Sequence, residues 1–322
     1  LPANKIELWA RIESDRMTNP VFRDFYQERA VVMEERKQRI DSDPDGKLYE
    51  QFMAAAFTSH PYRNPILGWT TDMTFFSPSH TYDFFRRFYA PNNTIITLVG
   101  DFEPAATLKL IRKYFEWIPR QQIKMPLITM EPRQKGEKRI EVLFDANPKI
   151  IIGFHKPTLP SFDDYVFDMI EYILSGGRTS RFYKNLVEDK ALAENVSASS
   201  SIPGSRYPNL FTIFASPRTP ATPSELEKEI YAELDRLKEE PVPGDELEKI
   251  KNIMKAEFIR GLNSNSALAS KLSYFEAIAG DYRYIINHIK QIDKITPQDI
   301  METAKKYLIP ENRTVATMKR TK

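Results

Sequence analysis

An internal repeat constrains the fold of this chain more than any other feature. Residues 77–99 and residues 296–318 both read as Ser/Thr-Pro, an amphipathic helix, a second proline, a polar turn and a β-branched strand. A Ser or Thr caps a helix, and a proline at the first helical position loses no hydrogen bond. The second proline follows the first by 13 residues in both copies and ends the helix. Because the copies are offset by 219 residues, we predict two homologous units.

The offset also predicts where each unit begins and ends. The second unit opens with the strand at 139–144, which follows a linker rich in Pro and Lys. Subtracting the offset places the start of the first unit about 80 residues before Leu1, so we expect the first unit to be N-terminally incomplete. We therefore assign residues 1–118 to the first unit, 119–138 to the linker and 139–322 to the second unit.

The order of predicted elements indicates an α+β fold. Residues 139–145, 149–155 and a pair within 194–216 read as strands, and most other segments have helical periodicity. We expect two α/β sandwich units, each with an antiparallel-rich sheet and helices packed on one face. A strand is predicted at 95–99 and one long helix at 245–278.

Composition excludes several classes of protein and partner. The 46 basic and 44 acidic residues nearly cancel, so no nucleic-acid partner is expected. No run of 18 apolar residues occurs, and we predict no membrane span. The chain has no cysteine, which excludes disulfides and thiolate ligands. Localisation is open on these grounds, and the bacterial periplasm is favoured over the cytoplasm.

One predicted helix carries a pair of carboxylates that has two interpretations. Glu28 and Glu35 are two helical turns apart, so both lie on one face, with Val31 and Val32 beside them. A carboxylate on a half-buried stripe needs a cation, a metal or hydrogen-bond donors. The alternative is a solvated helix whose glutamates pair with nearby Arg29, Arg36, Lys37 and Arg39. Spacing alone favours the solvated helix.

Seven short segments along the chain form an ordered set of motifs: 28–36 (ERAVVMEER), 60–62 (HPY), 66–68 (ILG), 89–93 (YAPNN), 99–101 (VGD), 175–183 (SGGRTSRFY) and 187–193 (VEDKALA). Together they resemble the pitrilysin/insulinase-type zinc metallopeptidases, also called inverzincins. The resemblance covers nearly the whole chain and agrees with the repeat, because members of this family are built from homologous halves.

The resemblance implies a zinc site that this chain contains only in part. In the family, an H-x-x-E-H helix supplies two ligands and the general base, and a later Glu is the third ligand. By position, Glu35 resembles that third ligand to Zn²⁺, and Glu28 resembles an accessory carboxylate that supports the site. Glu34 is expected to face solvent. The chain has no H-x-x-E-H, which the offset places about 50 residues before Leu1.

The histidines and the polar residues of the second unit are not expected to form a zinc site. Its four histidines, His60, His80, His155 and His288, do not pair with carboxylates at ligand spacing. His60 is expected in a loop and His155 in a strand. In the second unit, the place of the zinc helix reads Asp168-Met169-Ile170-Glu171-Tyr172, so that unit is expected to be non-catalytic. The chain as given is predicted to be inactive and to hold no zinc.

The resemblance also implies partners. Family members hold the substrate backbone with an Arg and a Tyr in the second half, whereas the matching positions here are Val187 and Glu194. We therefore expect a homo- or heterodimer with a related peptidase-like chain. The intact protein is expected to be a zinc endopeptidase that encloses a peptide between its two units and binds it along a sheet edge. The alternatives are a non-catalytic scaffold or partner subunit, and a generic peptide-binding module.

Overall fold

The computed structural model describes residues 2–123 and 126–321. Its helices lie in the order α1 (Ile6–Thr18), α2 (Phe25–Arg36), α3 (Pro44–Ala56), α4 (Thr70–Phe75), α5 (Pro78–Phe88), α6 (Pro104–Phe115), α7 (Phe162–Ser175), α8 (Pro223–Glu239), α9 (Gly244–Arg260), α10 (Asn265–Ala279), α11 (Tyr284–Lys294) and α12 (Pro297–Tyr307). The strands are β1 (Lys138–Phe144), β2 (Lys149–Lys156), β3 (Ala193–Ile202), β4 (Asn209–Pro217) and β5 (Arg313–Arg320). Two π-helical turns, Lys37–Asp41 and Tyr183–Asp189, follow α2 and α7.

The strands form one sheet in the order β1-β5-β2-β4-β3. Only the β1–β5 pair is parallel, whereas β2 pairs antiparallel with both β5 and β4, and β3 with β4. The sheet is therefore antiparallel-rich, and the predicted α+β class is confirmed.

Helices cover both faces of this sheet. The helices of the second unit pack on one face, as predicted, and α3 of the first unit covers the other face, which was not predicted. The larger core packs α7, α8, α9 and α12 against one face through buried apolar side chains such as Phe167 and Ile230. On the other face, Leu48, Phe52 and Met53 of α3 pack with β-strand residues such as Ile151. Helix α3 belongs to the first unit by sequence, yet its apolar face is buried on the sheet of the second unit.

The repeat is reproduced in three dimensions down to single hydrogen bonds. Helices α5 and α12 begin after Ser77 and Thr296, whose side chains cap them, and each ends just before a 3-10 turn that starts with proline. The side-chain amide of Asn93 donates to the Phe88 carbonyl at 2.8 Å. In the second unit, Asn312 donates to the Tyr307 carbonyl, also at 2.8 Å.

Two local predictions differ from the structure. Residues 95–99 form no sheet ladder within the described part of the chain, whereas the corresponding β5 lies between β1 and β2. A strand requires neighbours, and the described residues of the first unit provide none. The predicted helix at 245–278 is two helices, α9 and α10, because the chain turns after Gly261 and Ser264 caps a new helix by accepting from the Ala267 N–H at 3.2 Å.

Candidate functional site

Helix α2 positions the two glutamates that the sequence singled out. Glu28 is exposed on the first turn, and the Glu35 side chain is 35% exposed near the C-terminal end. The helix continues into the π-helical turn Lys37–Asp41. Single π-helical turns within α-helices are frequently found at functional sites. Gly46 permits the close approach of this turn, because a Cβ there would stand 1.9 Å from the Arg39 carbonyl oxygen.

In the second unit, the helix face that corresponds to the face with Glu28 and Glu35 is buried. At an offset of 219 residues, the corresponding positions on α9 are Leu247 and Met254. Both are buried in the core that also contains the apolar residues of α7. Within the described residues, the first unit has no counterpart of α7, so this face of α2 lies open. Two carboxylates thus stand where the other copy has two core side chains.

An apolar groove runs along the same face. It measures about 570 Å³ and is bordered by Glu28, by Val32 of α2 and by Phe76. Its other lining residues are mostly apolar, among them Val21 and Phe25. A concave apolar surface with few polar groups is the usual form of a binding site.

The cations near α2 support the interpretation of a solvated helix for Glu34 and Glu35, but not for Glu28. Arg39 binds Glu35 at 2.9 Å and Lys37 lies 3.8 Å from Glu34, both on the helix surface. Arg29 instead donates to the backbone carbonyls of the residues at 74 and 76. Arg36 is 3% exposed and turns inward, which the sequence did not predict. No periodicity in the sequence distinguishes it from the neighbouring exposed cations.

The four histidines make hydrogen bonds or ring contacts within the fold. His60 lies in a loop, as predicted, and its Nδ1 accepts from the Tyr62 N–H at 3.1 Å. His155 lies in β2, as predicted, with Nε2 3.1 Å from the Ala56 carbonyl. Burial lowers the pKa of both imidazoles. His80 is within 3.1 Å of the Ser77 hydroxyl, and the His288 ring stacks on Phe258.

The described residues do not complete a metal site. Among residues 2–123 and 126–321, no three His, Cys, Asp or Glu side chains are grouped so that they could hold a metal ion. The Glu35 carboxylate is a hard, half-exposed oxygen donor on an open face, which suits one ligand of a zinc site. The described residues therefore offer zinc at most the single carboxylate of Glu35, which is paired with Arg39 at 2.9 Å.

In the second unit, the polar residues that match the zinc helix are hydrogen-bonded within the fold. The buried Ser200 of β3 donates its hydroxyl to Asp168 at 2.5 Å and its N–H to Glu171 at 2.6 Å. The Tyr172 hydroxyl donates to Glu257 of α9. These groups join α7 to β3 and α9, so they have a structural role.

Replacing Asp168 by Asn is expected to change how stability depends on pH. Burial and the Asp164 carboxylate raise the pKa of Asp168 from 3.8 to about 7. The folded state then binds more protons than the unfolded state between these values, so this contribution to stability is present at low pH and is lost as pH rises towards 7. Asn keeps the acceptor for Ser200. We expect no change at pH 4 and a gain of about 2–4 kcal/mol in unfolding free energy at pH 8.

Urea unfolding of the two proteins at both pH values measures this effect. The exposed Asp235→Asn is the control and should stay within about 0.5 kcal/mol of the parent at either pH. An equal stability difference at pH 4 and pH 8 would show that Asp168 does not titrate in this range.

The positions that match the substrate-holding pair of the family cannot perform that role. Val187 is half-buried and packs against the main core. Glu194 is exposed at the start of β3. Neither side chain can donate a hydrogen bond to a peptide carbonyl as Arg or Tyr does.

Among the described residues, no helix is both long enough and apolar enough to cross a membrane.

Comparisons with known proteins agree with the resemblance seen in the sequence. The family model described as the Peptidase M16 inactive domain matches residues 76–254. The zinc protease PqqE of Helicobacter pylori is 28% identical over 300 residues, which is 92% of this chain and 67% of that protein. An uncharacterised zinc protease of Mycobacterium leprae is 24% identical over 284 residues, or 87% of this chain and 63% of that protein. The chain thus spans about two thirds of the length of these relatives.

Solved structures share the fold over almost the whole chain. The crystal structure of a protease from Helicobacter pylori superposes with a TM-score of 0.90 at 26% identity, covering 98% of this chain and 77% of that one. The structure of a peptidase M16 inactive domain from Pseudomonas fluorescens gives a TM-score of 0.86 at 16% identity, covering 99% and 76%.

Proposed function

The chain belongs to the Peptidase M16 inactive domain family, and from that premise we propose that it is part of a zinc-dependent endopeptidase. The observation that carries the proposal is the open face of α2. Glu28 and Glu35 occupy there the positions of the buried Leu247 and Met254 in the other unit. Two carboxylates replacing core residues serve no packing purpose, and they suit a metal-supporting face.

Each side chain has a defined role in this proposal. Glu35 would be the third protein ligand of Zn²⁺, together with two histidines from outside the residues of this sequence. Glu28 would be an accessory carboxylate that orients groups around the site. When bound, zinc polarises the scissile carbonyl and lowers the pKa of its water. The apolar groove beside Glu28 would bind part of an unfolded peptide.

Glu35→Ala tests the proposed ligand. In the full-length protein, zinc affinity should fall by at least about 100-fold, because even outer residues of zinc sites cost 10–100-fold when removed. Competition with a chromogenic chelator measures the dissociation constant, and cleavage of an unfolded peptide provides a second readout. The matched control is Glu34→Gln, one residue away and exposed, which should retain parental affinity. Zinc binding that survives Glu35→Ala at parental affinity would refute the ligand assignment.

A non-catalytic scaffold or partner subunit is the alternative function. It is favoured by Val187 and Glu194, which cannot hold a substrate backbone. The coding sequence upstream of Leu1 separates the two functions: H-x-x-E-H there supports the enzyme, and its absence supports the scaffold. If the zinc-loaded protein cleaves peptides only after a related Arg/Tyr-bearing chain is added, then both a catalytic role and dimerisation are supported. We propose the bacterial periplasm as its compartment.

A further inference from the structure

A buried arginine links α2 to the rest of the fold beside the open face. Arg36 follows Glu35 directly, and its guanidinium is almost fully buried. Nη1 donates to the Gly68 carbonyl at 2.7 Å, and Nε donates to the Thr70 hydroxyl at 3.0 Å. Because each nitrogen has a separate partner, the planar guanidinium fixes the rotation of α2 at this residue.

Nη2 of Arg36 faces two carboxylates, that of Asp41 at 3.5 Å and a buried one on another helix. Nη2 lies 2.7 Å from Oε2 of Glu50, and Glu50 is 3% exposed. Glu50 belongs to α3, whose apolar residues Leu48 and Phe52 pack on the sheet of the second unit. A continuous chain of contacts therefore runs from that sheet through α3 and the ion pair to the residue next to Glu35.

The second unit lacks such a pair although it repeats the same helices. The residue 219 positions after Arg36 is Lys255, which binds Asp293 of α11 at 2.8 Å. The residue 219 positions after Glu50 is Ala269, and the carboxylate of α10, Glu276, accepts from the Tyr282 N–H. Within the described residues, no ion pair joins α9 to α10. The helix pair thus folds without a buried Arg–Glu contact, which occurs only in the copy that carries Glu28 and Glu35.

We propose that Arg36 and Glu50 are positioning residues that hold Glu35 in the orientation needed for its metal, and that they couple this orientation to the sheet of the second unit. The proposal rests on the proposed function, in that Glu35 must be a ligand for the orientation to matter. It assigns the non-catalytic unit a part in forming the site. A buried ion pair is a weak source of net stability, so the role proposed for this one is to fix the geometry of α2.

The test uses Arg36→Lys/Glu50→Ala, which copies the residue types of the second unit. This variant should fold, because the second unit forms the same helices with Lys255 and Ala269, and because Asp41, 3.5 Å from Nη2 of Arg36, remains as a carboxylate for the lysine. In the chain described here, amide hydrogen exchange of α2 should become at least about 10-fold faster while that of α8 is unchanged. In the full-length protein, the zinc dissociation constant should rise about 10–100-fold. The single variant Glu50→Gln should act in the same direction.

Glu233→Gln is the matched control, because Glu233 is also a buried carboxylate and lies on α8, where it accepts from Asn185 at 2.7 Å. It should leave α2 exchange and zinc affinity unchanged. Parental α2 exchange and zinc affinity in the double variant would overturn the positioning role. If Glu35→Ala retains zinc, the proposed function fails instead, and the exchange of α2 amides still decides whether the pair couples α2 to α3.

Discussion

Phe52→Ala is expected to lower the unfolding free energy of this protein by about 3–5 kcal/mol, because it opens a cavity in the contact between the two units. Phe52 is completely buried on α3 and lies in the core shared with Ile151 and Met318 of the sheet. It also packs over Gly153 of β2, where a Cβ would stand 2.4 Å from the end of the Phe52 ring. Urea unfolding followed by circular dichroism measures the loss.

Gly153 provides a check that the effect comes from this contact. Gly153→Ala alone should cost about 1–3 kcal/mol, since the added methyl group overpacks the ring. In the Phe52→Ala background the same methyl group enters the cavity, so its cost should disappear. The exposed Phe75→Ala should change stability by no more than about 0.5 kcal/mol. If Phe52→Ala costs no more than Phe75→Ala, then α3 does not pack on the sheet of the second unit.

Lys156→Met is expected to cost about 3–5 kcal/mol at neutral pH, because it leaves a buried carboxylate without its cation. Lys156 of β2 and Asp164 of α7 form an ion pair in which both residues are less than 5% exposed. Lys156 also donates to the Pro157 carbonyl at 3.0 Å. Without the cation, burial keeps the pKa of Asp164 above its unfolded value. The loss should therefore be small in acid, where Asp164 is protonated, and should grow as pH rises.

Two variants separate this pair from general effects of lysine removal. Lys156→Met/Asp164→Leu replaces both charges with apolar groups and should recover most of the stability. Lys306→Met removes an exposed lysine that pairs with Asp163 at 2.8 Å, and it should cost about 1 kcal/mol or less. Thermal unfolding at pH 4 and pH 8 measures all three proteins. A double variant as unstable as Lys156→Met would show that the uncompensated carboxylate is not the cause.

The face of α2 that carries Glu28 and Glu35 shows how far the sequence could predict the candidate site. Spacing placed Glu28 and Glu35 on one face of α2, and the structure confirms this placement. The zinc role of Glu35 stays a prediction, because the described residues hold one carboxylate where a site needs several ligands. The sequence could not distinguish Arg36 from the exposed Arg39, because burial depends on the Gly68 loop and on Glu50, which approach only in the folded chain.

Local physics explains what the sequence determined by itself. The repeat and most helix ends follow from caps and prolines such as Ser77-Pro78 and Thr296-Pro297, which act on neighbouring residues. The α+β class follows from the periodicity of apolar residues within each segment. Tertiary structure alone decided the rest: that residues 95–99 form no ladder, that α3 crosses to the sheet of the second unit, and that Arg36 meets Glu50. Ladder formation and burial depend on residues distant in sequence, so no local pattern encodes them.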